Sequence, residues 1–246
     1  KSKKAKGPVT VGSSVVTLIS GELKGGYYNM DIGTAGSVCL LFQSALPCML
    51  FCGSECRVTF TGGTNATSAP PSDYFEHVFL PMARKLLGIQ FEFVLSRRGF
   101  FPRGGGVVHG RSLPVIGTLP AFDLTARGEV VRVWGQSFVG NLPMHIAKRM
   151  RDTAQSLLQT HFANKNLNVE VSIEAVDDSK RSMASGTGIL LVAQTTTGCL
   201  FGGSALGEKG KRAEEVAEMA VRELVEDLEY GGCVDRYLQD QLILLM

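Results

Sequence analysis

Toward its C-terminal end the sequence reads YLQDQ, and on a helix Tyr237, Asp240 and Gln241 would stand at i, i+3 and i+4, on one face. There an aromatic ring could stack on a purine while the carboxylate and the amide hydrogen-bond a ribose or a base edge. A helix start with a core tyrosine and two solvated polar residues accounts for the same spacing and is the simpler reading. A second stretch, RRGFFPRGGG (97–106), sets Arg97, Arg98 and Arg103 beside Phe100 and Phe101. Guanidinium groups fork onto phosphates and aromatic faces stack on bases, so the combination suits single-stranded nucleic acid. A hairpin turn with solvated arginines and a buried pair of phenylalanines explains it equally well. A third stretch, GTAGS (33–37), precedes an apolar run and could cradle a phosphate on backbone N–H groups at a helix N-terminus. It lacks both the lysine of GxxxxGK[ST] and the spacing of GxGxxG, which favours a tight strand-to-helix turn.

Other chemistry has less support. His77, His109, His145 and His161 form no HExxH pair, and there is no GxSxG elbow. Cys48, Cys52 and Cys56 fall at successive i+4 steps, yet a structural zinc site needs closely spaced pairs with a second pair downstream. No metal site is expected, and the cysteines read as buried, reduced thiols.

These residues must be positioned by ordinary folded elements. Of the 246 residues 44% are hydrophobic and 20% charged, within the range of globular domains, and the net charge of +2 singles out neither a nucleic acid nor a membrane as partner. No apolar run is long enough to span a bilayer, and no signal-peptide core opens the chain. PVTVGSSVVTLISGEL (8–23) alternates as strands do. VCLLFQSALPCMLF reads as a helix capped by Thr34 or Ser37 and kinked or shortened by Pro47. RVTFTGG is a strand. SAPPSDYFEHVFLPMARKLLG is an amphipathic helix with Pro71 near its start, Asp73 in its first turn and Gly88 past its end. Two strands follow around the basic turn, giving a βαβαββ unit with helices on one face of its sheet. A smaller α/β block begins near Leu142, with helices over MHIAKRMRDTAQSLLQTHF and AEEVAEMAVRELVEDLEY and strands at NVEVSIEAV and around TTTG.

Six stretches, TAGSVCLLFQSALPCMLF, GGTNATSAPPSDY, RRGFFPRGGG, TARGEVVRVWGQSFVGNLP, TTTGCLFGGSALGEKG and GGCVDRYLQDQ, resemble the RNA 3'-terminal phosphate cyclases in the same order and over nearly the whole chain. The resemblance implies an α/β (α+β) fold of repeated βαβαββ units, like the C-terminal domain of translation initiation factor 3, with a smaller inserted α/β domain. Main domain is then expected over 1–141, insert over 142–230, and a return to the main domain over 231–246.

The resemblance also implies ATP and Mg²⁺ or Mn²⁺ as cofactors and an RNA with a 3'-phosphate end as partner. Such enzymes adenylylate one of their own histidines and pass the AMP to the RNA 3'-phosphate. The neighbouring 2'-hydroxyl then closes a 2',3'-cyclic phosphate and expels AMP. Gln43 would contact the nucleotide, Pro70 (or, less well, Pro71) and Tyr237 would sandwich the adenine, and Asp240 with Gln241 would lie beside it. Arg97, Arg98 and Arg103 are the candidates for RNA contact. The family's first repeat would precede Lys1 and its nucleophilic histidine would follow Met246, so the chain as written is expected to be truncated and inactive. The setting would be intracellular, the nucleus in a eukaryote and the cytoplasm otherwise. A cyclase-like ribosome-assembly factor that lacks catalysis is the alternative.

Overall fold

Ser37 closes an extended segment with φ −68° and ψ 120°, and its hydroxyl oxygen accepts the N–H of Leu40, which starts helix α1 at Val38–Leu50. Pro47 lies inside α1 and the helix continues past it for less than one turn. A proline there has no N–H to give the carbonyl four residues earlier, that of Gln43. The computed structural model describes residues 21–246 together with 13–15 and 17. The strands expected over 8–23 fall largely outside them.

Strand β1 (Gly26–Asp31) pairs parallel with β2 (Cys56–Gly62), the crossover being α1. β2 pairs antiparallel with β4 (Gly106–Ser112), which pairs antiparallel with β3 (Phe91–Arg97). The order is β1-β2-β4-β3. Between β2 and β3 runs helix α2, over 72–87, which starts as Ser72–Tyr74, widens into a π turn at Phe75–Phe79 and ends as Leu80–Leu87. The π turn ends just ahead of Pro81, where a missing N–H and a bulky ring disfavour regular α pairing. Gly88 stops the helix in the left-handed region at φ 63°. One face of this sheet buries Val58, Phe60, Phe91, Phe93 and Val108. Against it Phe42 of α1 meets Phe60 at 4.6 Å and Phe75 of α2 meets Phe93 at 5.0 Å, centroid to centroid.

The second sheet is built from β5 (Val130–Gly140), β6 (Glu170–Asp177), β7 (Gly186–Thr195) and β8 (Leu200–Leu206), in the order β6-β5-β7-β8. Helix α3 (Met144–Asn164) crosses from β5 to the parallel β6, and α4 (Ala213–Tyr230) follows β8. In the first sheet the antiparallel hairpin docks on the second strand of the parallel pair; in the second it docks on the first. β5 is therefore an inner strand, bonded on both edges to partners beyond residue 141. The sheet spans the division expected at 141/142, because one continuous ladder needs β5.

β7 is buried on both faces. Ile189, Leu191 and Ala193 face α3 and α4, while Leu190 and Val192 join the core of the first sheet. The run ILLVA shows no apolar-polar alternation for that reason. α2 thus lies between the two sheets. A last helix, α5 (Arg236–Ile243), sends Leu238 and Leu242 into the first core, and Leu245 follows them. Among the described residues no helix is long and apolar enough to cross a membrane.

Candidate nucleotide site

The sequence face Tyr237, Asp240, Gln241 is set by how α5 begins. Asp235 is its N-cap, and one carboxylate oxygen accepts the N–H groups of Tyr237 at 3.1 Å and Leu238 at 2.8 Å. The same oxygen accepts the hydroxyl of Tyr74 at 2.6 Å, and the other accepts the N–H of Gly202 at 2.7 Å. Asp235 is 1% exposed, and burial pushes its carboxyl above the ordinary range despite these donors. Gly202 leaves room for the Tyr74 ring, which a Cβ there would approach to 2.5 Å.

Held this way, α5 meets α1. Gln43 donates through Nε2 to Asp240 at 2.8 Å across 197 positions of sequence. Gln241 turns inward, 4% exposed, and its carbonyl oxygen Oε1 has no donor among the described residues. Gln43 and Gln241 share the wall of a narrow crevice of about 10 Å³ with Leu46, Pro47, Phe75, Phe79, Leu244 and Leu245. That volume admits about one water molecule and no purine. A nucleobase would have to lie against this wall, outside the crevice.

Tyr237 is half-buried, with its ring edge-on to Tyr74 at 5.6 Å and its hydroxyl directed at Glu223 across 3.4 Å. Burial, then the Glu223 charge, push the Tyr237 phenol up to about 12. Pro70 is buried and does not line the Gln43 crevice; it is Tyr74, four residues further on, that meets Tyr237.

The three arginines part company. Arg103 is exposed and Arg97, half-buried, donates to the Gly105 carbonyl at 2.8 Å. Arg98, expected as an RNA contact, is instead 1% exposed. Its guanidinium forks onto Asp73 with two 2.7 Å bonds, donates through Nε to Asp178, and lies 3.9 Å over the Phe138 ring. Its donors are spent on the junction between the sheets, where they pair with two buried carboxylates, and Arg181 supplies the second positive charge at Asp178. Gln136 of β5 also donates to Asp73, at 2.8 Å. Sequence reading missed the junction because Asp73 and Asp178 lie far apart in the chain. It also missed Asp235, although an aspartate ahead of a helical run is an N-cap signal.

The sequence matches the family described as RNA 3'-terminal phosphate cyclase from residue 2 to residue 246. The chain belongs to the RNA 3'-terminal phosphate cyclase family. Among curated relatives of this cyclase family, the "RNA 3'-terminal phosphate cyclase" of Pyrococcus furiosus is 41% identical over 236 residues, covering 95% of this chain and 65% of its own length. That of Ignicoccus hospitalis is 39% identical, with 95% and 65% covered. The "Probable RNA 3'-terminal phosphate cyclase" of Dictyostelium discoideum is 40% identical over 223 residues, 90% of this chain and 50% of the relative. The chain thus spans between half and two thirds of these cyclases.

Proposed function

We propose that the full-length protein converts an RNA 3'-terminal phosphate to a 2',3'-cyclic phosphate at the expense of ATP. Membership of the family supports the reaction class. The single observation that supports a nucleotide site in this chain is the 2.8 Å bond from Gln43 to Asp240, which brings α1 and α5 together beside the donorless carbonyl of Gln241. A buried carbonyl without a donor is costly, and the crevice has room for one water that could link it to a nucleobase lying outside. In this reading Gln43, Asp240 and Gln241 hydrogen-bond the nucleotide, and Pro70 and Tyr237 cover the two faces of its base.

The chemistry needs no strong nucleophile on the RNA. A histidine of the full-length protein takes AMP from ATP and releases pyrophosphate. The RNA phosphate oxygen then displaces that histidine, and the 2'-hydroxyl attacks the activated phosphorus with AMP as leaving group. The attacking hydroxyl is already held beside its target on the same ribose, so the closing step gains from proximity. Among the described residues no cluster of three metal-ligating side chains converges. A Mg²⁺ or Mn²⁺ ion held by the nucleotide phosphates would offset their negative charge.

The test is to incubate full-length protein with α-labelled ATP and Mg²⁺ or Mn²⁺ and look for an acid-labile, histidine-linked AMP adduct. The adduct should form without RNA and be discharged by a 3'-phosphorylated oligonucleotide, which becomes cyclic. Absence of both adduct and cyclisation would overturn the proposal in favour of a ribosome-assembly factor without catalysis.

A further inference from the structure

The turn between β3 and β4 divides its side chains sharply. Arg98 and Phe100 point inward, whereas Phe101 is 78% exposed and Arg103 is exposed beside it. Single exposed apolar side chains are common on protein surfaces, so Phe101 alone means little. Its setting carries the argument. The segment after β6 crosses the base of this turn, with the Arg98 N–H donating to the Arg181 carbonyl at 2.6 Å and a further backbone bridge from Arg98 to Ser182. Beneath, the Phe100 ring lies so close to Gly186 that a Cβ on that glycine would fall 2.2 Å from it. The tip is therefore a stiff projection.

The crossing segment adds its own side chains to the same edge. Met183 is 50% exposed, with its sulfur beside Gly105, and Lys180 is exposed. Arg181 is about half exposed even while paired with Asp178. Arg97, Arg103, Lys180 and Arg181 together outnumber the exposed carboxylate of Asp177, which bonds Ser179. One ridge, drawn from both sheets, thus presents two soft apolar groups among cations. The ridge also adjoins the segment that carries Pro70, since the N–H groups of Thr64 and Asn65 donate to the Gly99 carbonyl at 3.0 and 3.4 Å.

From this placement we infer that the ridge of Phe101, Arg103, Lys180 and Met183 is a docking surface for single-stranded RNA, taking the nucleotides just upstream of the 3' end. Phe101 stacks on a base, Met183 supports it from the side, and the cations follow the phosphates. Stacking reads any base, so the ridge is tolerant of sequence, and its cationic part makes binding salt-dependent. The inference rests on the cyclase reading above for its choice of RNA as occupant.

The test measures binding of a fluorescent, 3'-phosphorylated single-stranded RNA to full-length protein across a salt series, for wild type, Phe101→Ala and Lys180→Gln. Both positions are exposed, and a melting curve checks that each variant folds. Phe101→Ala should weaken binding by about 5- to 150-fold, as expected when one base loses its aromatic platform. Lys180→Gln should flatten the slope of log affinity against log salt by about 0.7, one phosphate contact on a single strand. Wild-type affinity and slope in both variants would overturn the inference and leave the ridge to solvent or a protein contact. AMP-adduct formation by the same wild-type preparation is read separately: its absence would sink the cyclase proposal while the binding measurements still decide the ridge.

Discussion

The hydroxyl of Tyr74 donates to the carboxylate of Asp235 across 2.6 Å, tying the first turn of α2 to the cap of α5. Asp235 also holds β8 through the Gly202 N–H, so one buried carboxylate fixes three elements that are remote in sequence. Tyr74→Phe removes one donor from a buried charge and should cost about 1–3 kcal/mol. For a chain of this size that is a fall in melting temperature of about 2–4 °C per kcal/mol. Gly202→Ala reaches the same latch from the other side by pushing on the Tyr74 ring, at about 1–3 kcal/mol. Because both changes loosen the same joint, the double variant should cost less than the sum of the two. Full additivity in thermal or denaturant unfolding would show that they act independently.

Much of this architecture is legible in the sequence, and the illegible part has a common cause. Ser37, Gly88 and Pro71 mark helix ends through local backbone chemistry, and the alternation in FEFVLSR shows which face of β3 is buried. Each signal lies within a few residues of what it reports. The two-faced burial of β7 and the placement of β5 in the second sheet depend on partners in other segments, and no local period encodes them. The π turn in α2 had a local sign, Pro81, whose missing N–H disturbs the turn before it. At the candidate site the residue types in YLQDQ were suggestive, but only the approach of α1 set Gln43 on Asp240. Arg98 is the sharpest case: three arginines in one short turn look alike in sequence, and burial between two distant carboxylates separates one from the others.

Arg98 also makes a stability prediction. Replacing it by methionine keeps much of its bulk over Phe138 but leaves Asp73 with Gln136 and Asp178 with Arg181 as their remaining side-chain donors. Losing one member of a buried ion pair should cost about 3–5 kcal/mol. Arg98→Lys should recover only part of that, because an ammonium cannot reproduce the fork onto Asp73. Burial raises the Asp73 carboxyl, but the Arg98 charge and hydrogen bonds outweigh it and hold the group below its usual value. Its contribution to stability is therefore present above the unfolded carboxyl value of about 3.9 and is lost as the pH falls through the lower folded value. Stability measured from pH 6 down to pH 2 should fall less steeply in Arg98→Met than in the wild type. Parallel curves would refute this account.

Gln241 offers a test in which stability and binding move in opposite directions. Its Oε1 is buried without a donor, a condition that costs the free protein about 1–3 kcal/mol. Gln241→Met has nearly the same length and flexibility and removes the donorless carbonyl, so the variant should melt at the same temperature as the wild type or higher. If the carbonyl is kept to accept a hydrogen bond from the water that links it to a bound nucleobase, the same change should weaken ATP binding to the full-length protein by about 2- to 12-fold, the worth of one neutral hydrogen bond. Calorimetric titration with ATP measures the second quantity and thermal unfolding the first. A variant that is more stable and binds ATP with unchanged affinity would remove Gln241 from the site and leave its orphaned oxygen a packing defect between α5 and α1.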